Sequence, residues 1–250
     1  PLTVAGLRID HLQWGELGLR EAVLDLERGA RAWEVQIESR ELAGQLEIPR
    51  QSRAQPLRAD IARLDLQPFL AASPPAADVK PGRNRPDTGP ADPRRAWGLD
   101  LAVERLRWLD TELGRFSLRA EPQAAGLRIA EVRLTQSGRL DLQGQGEWVR
   151  EEGETAGARM TLDLAAKTGD LGDLLRHLGY VSPLAEAPAE VEARLTWPGG
   201  PGDLSPATLQ GEIDLAIGKG SLLDVDPGMG RVLGVLNLGA LGRRLALDFT

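Results

Sequence analysis

Apolar and polar residues alternate with a period of two in short runs along much of this chain, and that pattern restricts it to strands with one apolar face. Leu99, Leu101 and Val103 alternate with polar or small residues, as do Leu140 and Leu142, then Met160, Leu162 and Leu164. The spacing returns in Val191, Ala193, Leu195 and Trp197, and again in Leu209, Ile213, Leu215 and Ile217. Asp141, Asp163, Glu192, Arg194 and Asp214 stand between them, so a sheet built from these runs is greasy on one side and charged on the other. Turns rich in Gly, Pro, Asp and Glu separate the runs, as they do between antiparallel strands. The expected class is mainly β.

The runs repeat. Leu7-Arg8-Ile9 with Leu12-Gln13-Trp14 lines up with Leu101-Ala102-Val103 and Leu106-Arg107-Trp108, a shift of 101 − 7 = 94, and Gly44-Gln45-Leu46-Glu47-Ile48 meets Gly138-Arg139-Leu140-Asp141-Leu142 at the same shift. Glu16-Leu17-Gly18 meets Glu112-Leu113-Gly114 at 96, and Leu64-Asp65-Leu66 meets Leu162-Asp163-Leu164 at 98. A drifting offset with retained order describes a diverged repeat with variable turns. The expected organisation is a first β-meander module over residues 1–70 and a second over 97–180. A disordered Pro-rich linker is expected over 71–96, where prolines recur and large apolar residues are almost lacking. Residues 181–250 supply further strands and an apolar helix, truncated at the end, so that the chain reads as a piece of a longer protein.

Two segments leave the alternation. Near 169–179, Leu171, Leu174, Leu175 and Leu178 fall at helical spacing, with Asp170 placed to cap the start and Gly179 to end the turn. Over 227–245, Asp226-Pro227 reads as a cap and first position before a run that is apolar on nearly all sides, with Arg243-Arg244 at its end. A helix of that kind needs a cover, or is itself one.

Composition removes several function classes. Lys+Arg 30 against Asp+Glu 37 leaves a net charge of −7, the wrong sign for a phosphate backbone, so no nucleic-acid partner is expected. With no cysteine and two histidines, His11 and His177, neither thiolate chemistry nor the usual His-dependent triads and zinc sites can be assembled. No cofactor or metal is implied. No stretch approaches the roughly 18 apolar residues of a membrane-spanning helix. Ile217-Gly218-Lys219-Gly220-Ser221 lacks the first glycine of a phosphate loop, since that position is Ile213, and Gly228-Met229-Gly230-Arg231-Val232-Leu233-Gly234 has the wrong spacing for a dinucleotide turn. The tryptophans, Trp14, Trp33, Trp97, Trp108, Trp148 and Trp197, fall mostly at strand ends, where they pack sheet margins or line an apolar groove.

The last third carries a more specific pattern. Leu195-Thr196-Trp197-Pro198-Gly199, Leu209-Gln210-Gly211-Glu212-Ile213-Asp214-Leu215, the run from Gly218 to Gly234, and Arg243-Arg244-Leu245-Ala246-Leu247-Asp248-Phe249 resemble the C-terminal region of the YhdP family of AsmA-like envelope proteins. The resemblance implies a periplasmic location within a protein anchored in the inner membrane by a helix outside this chain. It implies repeated antiparallel strands forming an elongated, curled, taco-like sheet whose apolar groove takes phospholipid acyl chains between inner and outer membranes and supports outer-membrane integrity. Its partners are then lipid tails and the two membranes, and it is not an enzyme. The residues expected to line the groove are Leu140, Leu142, Met160, Leu162, Leu164, Val191, Leu195, Leu209, Ile213, Leu215 and Ile217, with Val232, Leu233, Leu236 and Leu241 on the covering helix. The alternative is a closed β scaffold in envelope assembly, its apolar faces packed on each other. A glycan-processing β-solenoid would need a ladder of acids on one face, which the chain does not show.

Overall fold

The structure, a computed structural model, describes residues 3–14, 17–50, 55–66, 92–108, 111–151, 157–222 and 245–246. The first five strands, β1 (Thr3–Trp14), β2 (Leu17–Arg28), β3 (Ala32–Glu38), β4 (Leu42–Pro49) and β5 (Leu57–Asp65), pair antiparallel in chain order. So do β6 (Leu99–Trp108), β7 (Thr111–Pro122), β8 (Gly126–Gln136), β9 (Leu140–Arg150) and β10 (Ala158–Thr168). The two meanders meet through β5 and β6, which run parallel, with Leu57 opposite Leu99 and Ile61 opposite Val103. A parallel pair cannot be joined by a tight turn, so the long connection between Asp65 and Leu99 is required by the topology. Beyond β10 come α1 (Leu171–His177), β11 (Leu184–Ala185), β12 (Ala189–Pro198), β13 (Gln210–Ile217), β14 (Ser221–Leu222) and β15 (Leu245–Ala246). One 13-stranded open sheet results, ordered from β1 through β10 to β12, β13 and β15, while β11 and β14 form a separate pair.

Bulges keep the apolar side chains on one face. Alternation breaks between Val4 and Leu7, between Val103 and Leu106, and between Ile129 and Val132, where the odd-even parity of the apolar positions switches. An extra residue on one strand of a pair turns the following residues over, so the parity change in sequence and the bulge in structure cancel. In β1 the extra residue is accommodated at Gly6, whose φ of 66° suits glycine.

Three clusters of buried residues lie along this face. One is built on Leu19, Ala22 and Ile37, one on Ala59, Ile61, Val103 and Leu106, and one on Ala120, Ile129, Trp148, Met160 and Trp197. Near the first, the Glu41 side chain, 3% exposed, accepts from the Arg20 backbone N–H at 3.0 Å and from its Nε at 2.8 Å.

α1 begins and ends as its sequence requires. Asp170 Oδ1 accepts from the Gly172 and Asp173 N–H groups, and its Oδ2 from the Glu186 N–H at 3.0 Å. At the other end, Tyr180 N–H donates to the Leu175 carbonyl and Gly179 N–H to that of Arg176, a Schellman closure for which Gly179 takes φ 87°. The second expected helix is corrected where it can be seen: 227–244 lie outside the described residues, and Leu245–Ala246 form a strand opposite Glu212 and Ile213. Within the expected linker, Pro93–Arg95 form a turn of 3-10 helix capped by Asp92, with Pro93 buried, and residues 71–91 lie outside the described ones. The Arg94 guanidinium, hydrogen-bonded to Asp92, holds that carboxyl down to about 2.

Candidate functional site

Strand pairing assembles unbroken apolar rows across the sheet. One row runs Val4, Leu26, Val35, Leu46, Ala59, Leu101, Leu118, Val132, Gly144, Leu164, Ala193, Ile213 and Leu245, each residue directly opposite the next. At about 4.8 Å between strands, such a row extends roughly 60 Å along the sheet. The adjacent row runs Leu7, Leu24, Ile37, Gly44, Ile61, Val103, Phe116, Leu134, Leu142, Ala166, Val191 and Leu215. A third joins Leu57, Leu99, Ala120, Ile129, Gly146, Leu162, Leu195 and Gly211. No ionisable side chain interrupts any of the three.

The expected lining residues take their places in this pattern. Leu142, Val191 and Leu215 share one row, Leu164 and Ile213 another, and Leu162 and Leu195 the third. Ile217 pairs with Ala189 and Met160 with Trp197, Leu140 begins β9 opposite Gln136, and Leu209, just before β13, packs against the cluster that holds Trp197. Of these, Met160 is buried, at 3% exposure; the others are half-buried. The intervening Asp141, Gln143, Gln145, Glu192, Arg194, Glu212 and Asp214 are exposed on the opposite face. Val232, Leu233, Leu236 and Leu241 lie outside the described residues.

The face is wider than expected from sequence. The lining residues expected from alternation lie on β9, β10, β12 and β13, whereas β1 through β8 also carry the first two rows and β5 through β8 the third. Leu24 with Leu26 and Val35 with Ile37 alternate as the later strands do, while between Ile129 and Val132 a bulge breaks the alternation. Glycines lie in the rows where backbone approaches closely. A Cβ at Gly146 would overlap the Thr161 carbonyl and meet Leu162 Cδ2 at 2.7 Å, and one at Gly144 would meet Leu164 Cδ2 at 2.5 Å. The leucines of β10 therefore lean over the glycines of β9. The structure also separates two glycines that the sequence repeat had superposed: Gly44 is mid-strand between Ile37 and Ile61, and Gly138 is in the turn before β9 with φ 76°.

The two margins are held by different contacts. At one end of the strands Trp148, Met160 and Trp197 pack together, and Gly200 approaches the Trp148 indole. Trp197 Nε1–H donates to the Gly200 carbonyl at 2.9 Å, whereas the buried Trp148 Nε1–H makes no hydrogen bond to a described residue. At the other end α1 reaches across to the turns of the second meander. His177 Nε2 lies 2.7 Å from Gln136 Nε2 and 2.9 Å from the Glu112 carbonyl, and Arg139 Nε donates to Asp173 Oδ2 at 2.8 Å. Gln136 occupies an apolar-face position, opposite Leu140, so His177 meets the face at its edge.

The polar face carries cross-strand charge pairs. Arg194 Nε donates to Asp163 Oδ1 at 2.6 Å and Lys167 Nζ to Glu190 Oε1 at 2.8 Å. A shallow recess between Gln143, Gln145, Asp163, Arg194 and Asp214 is walled by solvated side chains of neighbouring strands. No grouping of carboxylates and histidines suited to a metal occurs among the described residues, nor is any helix there long and apolar enough to cross a membrane. What this geometry offers is apolar surface running across the sheet, with Trp148 and Trp197 at one margin and Trp108, opposite Thr111, at the margin that α1 contacts.

Comparison with known proteins gives a consistent family. The intermembrane phospholipid transporter YhdP of Escherichia coli (strain K12) is 29% identical over 117 residues, which cover 46% of this chain and 9% of that protein. No solved structure matches. The family model for the YhdP protein matches residues 1–250, the whole of the sequence whose strands build this face. The chain belongs to the YhdP family.

Proposed function

We propose that the apolar face is a groove for phospholipid acyl chains, and that this chain is one segment of a longer periplasmic conduit between inner and outer membranes. The observation that carries the reading is the set of cross-strand rows. They keep apolar side chains or glycine in register from strand to strand, two of them from β1 onward, yet leave most of these residues only half-buried. Apolar surface of that extent in a soluble segment calls for an occupant. Lipid tails suit it, since each CH₂ removed from water contributes about 0.8 kcal/mol without any directed contact. The sequence relative named as an intermembrane phospholipid transporter supports this choice of occupant.

In this reading the two meanders are successive modules of the groove, the sheet curls about the rows, and Leu140, Leu142, Met160, Leu162, Leu164, Val191, Leu195, Leu209, Ile213, Leu215 and Ile217 touch the tails. Headgroups stay at the solvent margin, which is why no dedicated headgroup site is required. The protein acts without catalysis, held to the inner membrane by a segment outside this chain, and its loss weakens the outer-membrane barrier. Native mass spectrometry of the chain purified from an envelope-bearing bacterial host tests the proposal. Phospholipid retained in near-stoichiometric amount is expected; a well-folded, monodisperse chain free of lipid would favour the closed scaffold.

A further inference from the structure

We propose that α1 is a strap that latches the margin of the apolar face at Thr111 and Gln136 and opens to admit or release a lipid, an inference that rests on the lipid-groove reading above. The two ends of α1 are held in different ways. At its start, Asp170 accepts from Gly172, Asp173 and Glu186, Leu171 N–H donates to the Ala187 carbonyl at 2.7 Å, and Gly172 fits so closely beneath the Leu184 carbonyl that a Cβ there would overlap it. That end is a packed knot of backbone hydrogen bonds. Arg139 joins Asp173 of the first turn to the second meander, and the other end is tethered through side chains, by Thr111 Oγ1 to the His177 carbonyl at 3.2 Å and by His177 to Gln136 and the Glu112 carbonyl, while Arg176 Nη1 donates to the Leu184 carbonyl at 2.8 Å. The Arg139 and Asp173 side chains are 41% and 44% exposed, so water can replace their contact at little cost.

Glycines flank the strap. A Cβ at Gly169 or Gly179 would meet nothing within 4 Å, so neither is kept small by packing, and Gly179 holds a positive φ. Both positions can absorb a change of backbone angle, as a hinge requires. The latch lies where it matters, because Gln136 is the polar position that ends the row side of β8 just beyond Leu134 and opposite Leu140. With the tether made, α1 closes this edge; with it broken, α1 pivots about Asp170 and the edge opens.

The chain has no cysteine, so Gln136→Cys with His177→Cys, at the end of α1 away from Asp170, can be joined by a short cleavable bismaleimide without background reaction. Transfer of pyrene-labelled phosphatidylglycerol between phosphatidylglycerol–phosphatidylethanolamine vesicles is measured before and after cleavage of the link. In parallel, a photo-crosslinking residue at Leu162 reports whether lipid enters the groove. The strap predicts that the locked chain transfers about tenfold more slowly, the factor equivalent to about 1.4 kcal/mol, and that cleavage restores the rate. The unlocked Arg139→Ala/His177→Ala chain should show faster deuterium exchange in residues 171–178 than the parent while β9 and β10 stay protected. Lipid captured at Leu162 with transfer indifferent to the lock would overturn the strap alone. No capture at Leu162 would overturn the groove reading and the strap with it.

Discussion

A carboxylate at Leu162 tests the apolar face most directly. Leu162 stands between Gly146 and Leu195 in its row, half-buried, with Leu164 two residues on in the neighbouring row. Leu162→Asp removes a half-exposed aliphatic side chain, which costs the fold about 1 kcal/mol at half the value of full burial, so the sheet should survive. For a bound tail the loss is larger. A charge here keeps water over its own position and its opposite neighbours, denying contact to about four methylenes, or about 3 kcal/mol at 0.8 kcal/mol each. That corresponds to roughly 200-fold weaker retention. The assay is displacement of a fluorescent fatty-acyl probe from the purified chain, with circular dichroism confirming the fold. Leu215→Asp should behave alike, since it lies in another row of the same face. Asp163→Ala, on the opposite face, should bind as the parent does, its ion pair with Arg194 being exposed and worth at most about 1 kcal/mol. Parental affinity in a folded Leu162→Asp/Leu215→Asp chain would refute the reasoning.

Further expectations concern the scaffold. Gly146→Val should lower the unfolding free energy by about 1–3 kcal/mol, because the new side chain meets the Thr161 backbone and Leu162; denaturant titration measures it. Trp197→Phe should cost about 1 kcal/mol through the lost bond to Gly200, whereas Trp148→Phe, which deletes a buried N–H with no partner among the described residues, should cost no more than its lost packing; paired thermal melts decide this. For Asp170, burial pushes the carboxyl up, but backbone donors including Glu186, Asp173 and Gly172 outweigh it and hold the group below the ordinary carboxylate value. Its stabilisation is therefore complete above that ordinary value and fades as pH falls through the lower, folded-state value. Acid titration followed by hydrogen exchange at residues 171–178 should show α1 of Asp170→Asn losing this dependence, and an identical pH profile in the two chains would contradict it.

Much of this architecture was legible before any coordinates. Alternation in Met160, Leu162 and Leu164, or in Val191, Ala193 and Leu195, is a local record of which side chains face the core, because successive residues of a strand must point to opposite faces. Asp170 and Gly179 announced the limits of α1 because caps satisfy orphan N–H and C=O groups within one turn. Pairing and register are not local, and there the sequence was insufficient. Nothing near Ile61 or Val103 states that β5 and β6 run parallel, yet that junction is what makes two meanders one face. Parity switches at Val4/Leu7, Val103/Leu106 and Ile129/Val132 read as lost pattern until the partner strand supplies the bulge. His177 gains its partners only through the fold, because Gln136 and Glu112 are 41 and 65 residues away along the chain. The amino-acid sequence by itself determined strands with one apolar side and the ends of a short helix, since these follow from contacts within a few residues. Only the tertiary structure decided that those sides align into rows across the whole sheet and where the helix is fastened, since both depend on hydrogen bonds between segments distant in the chain.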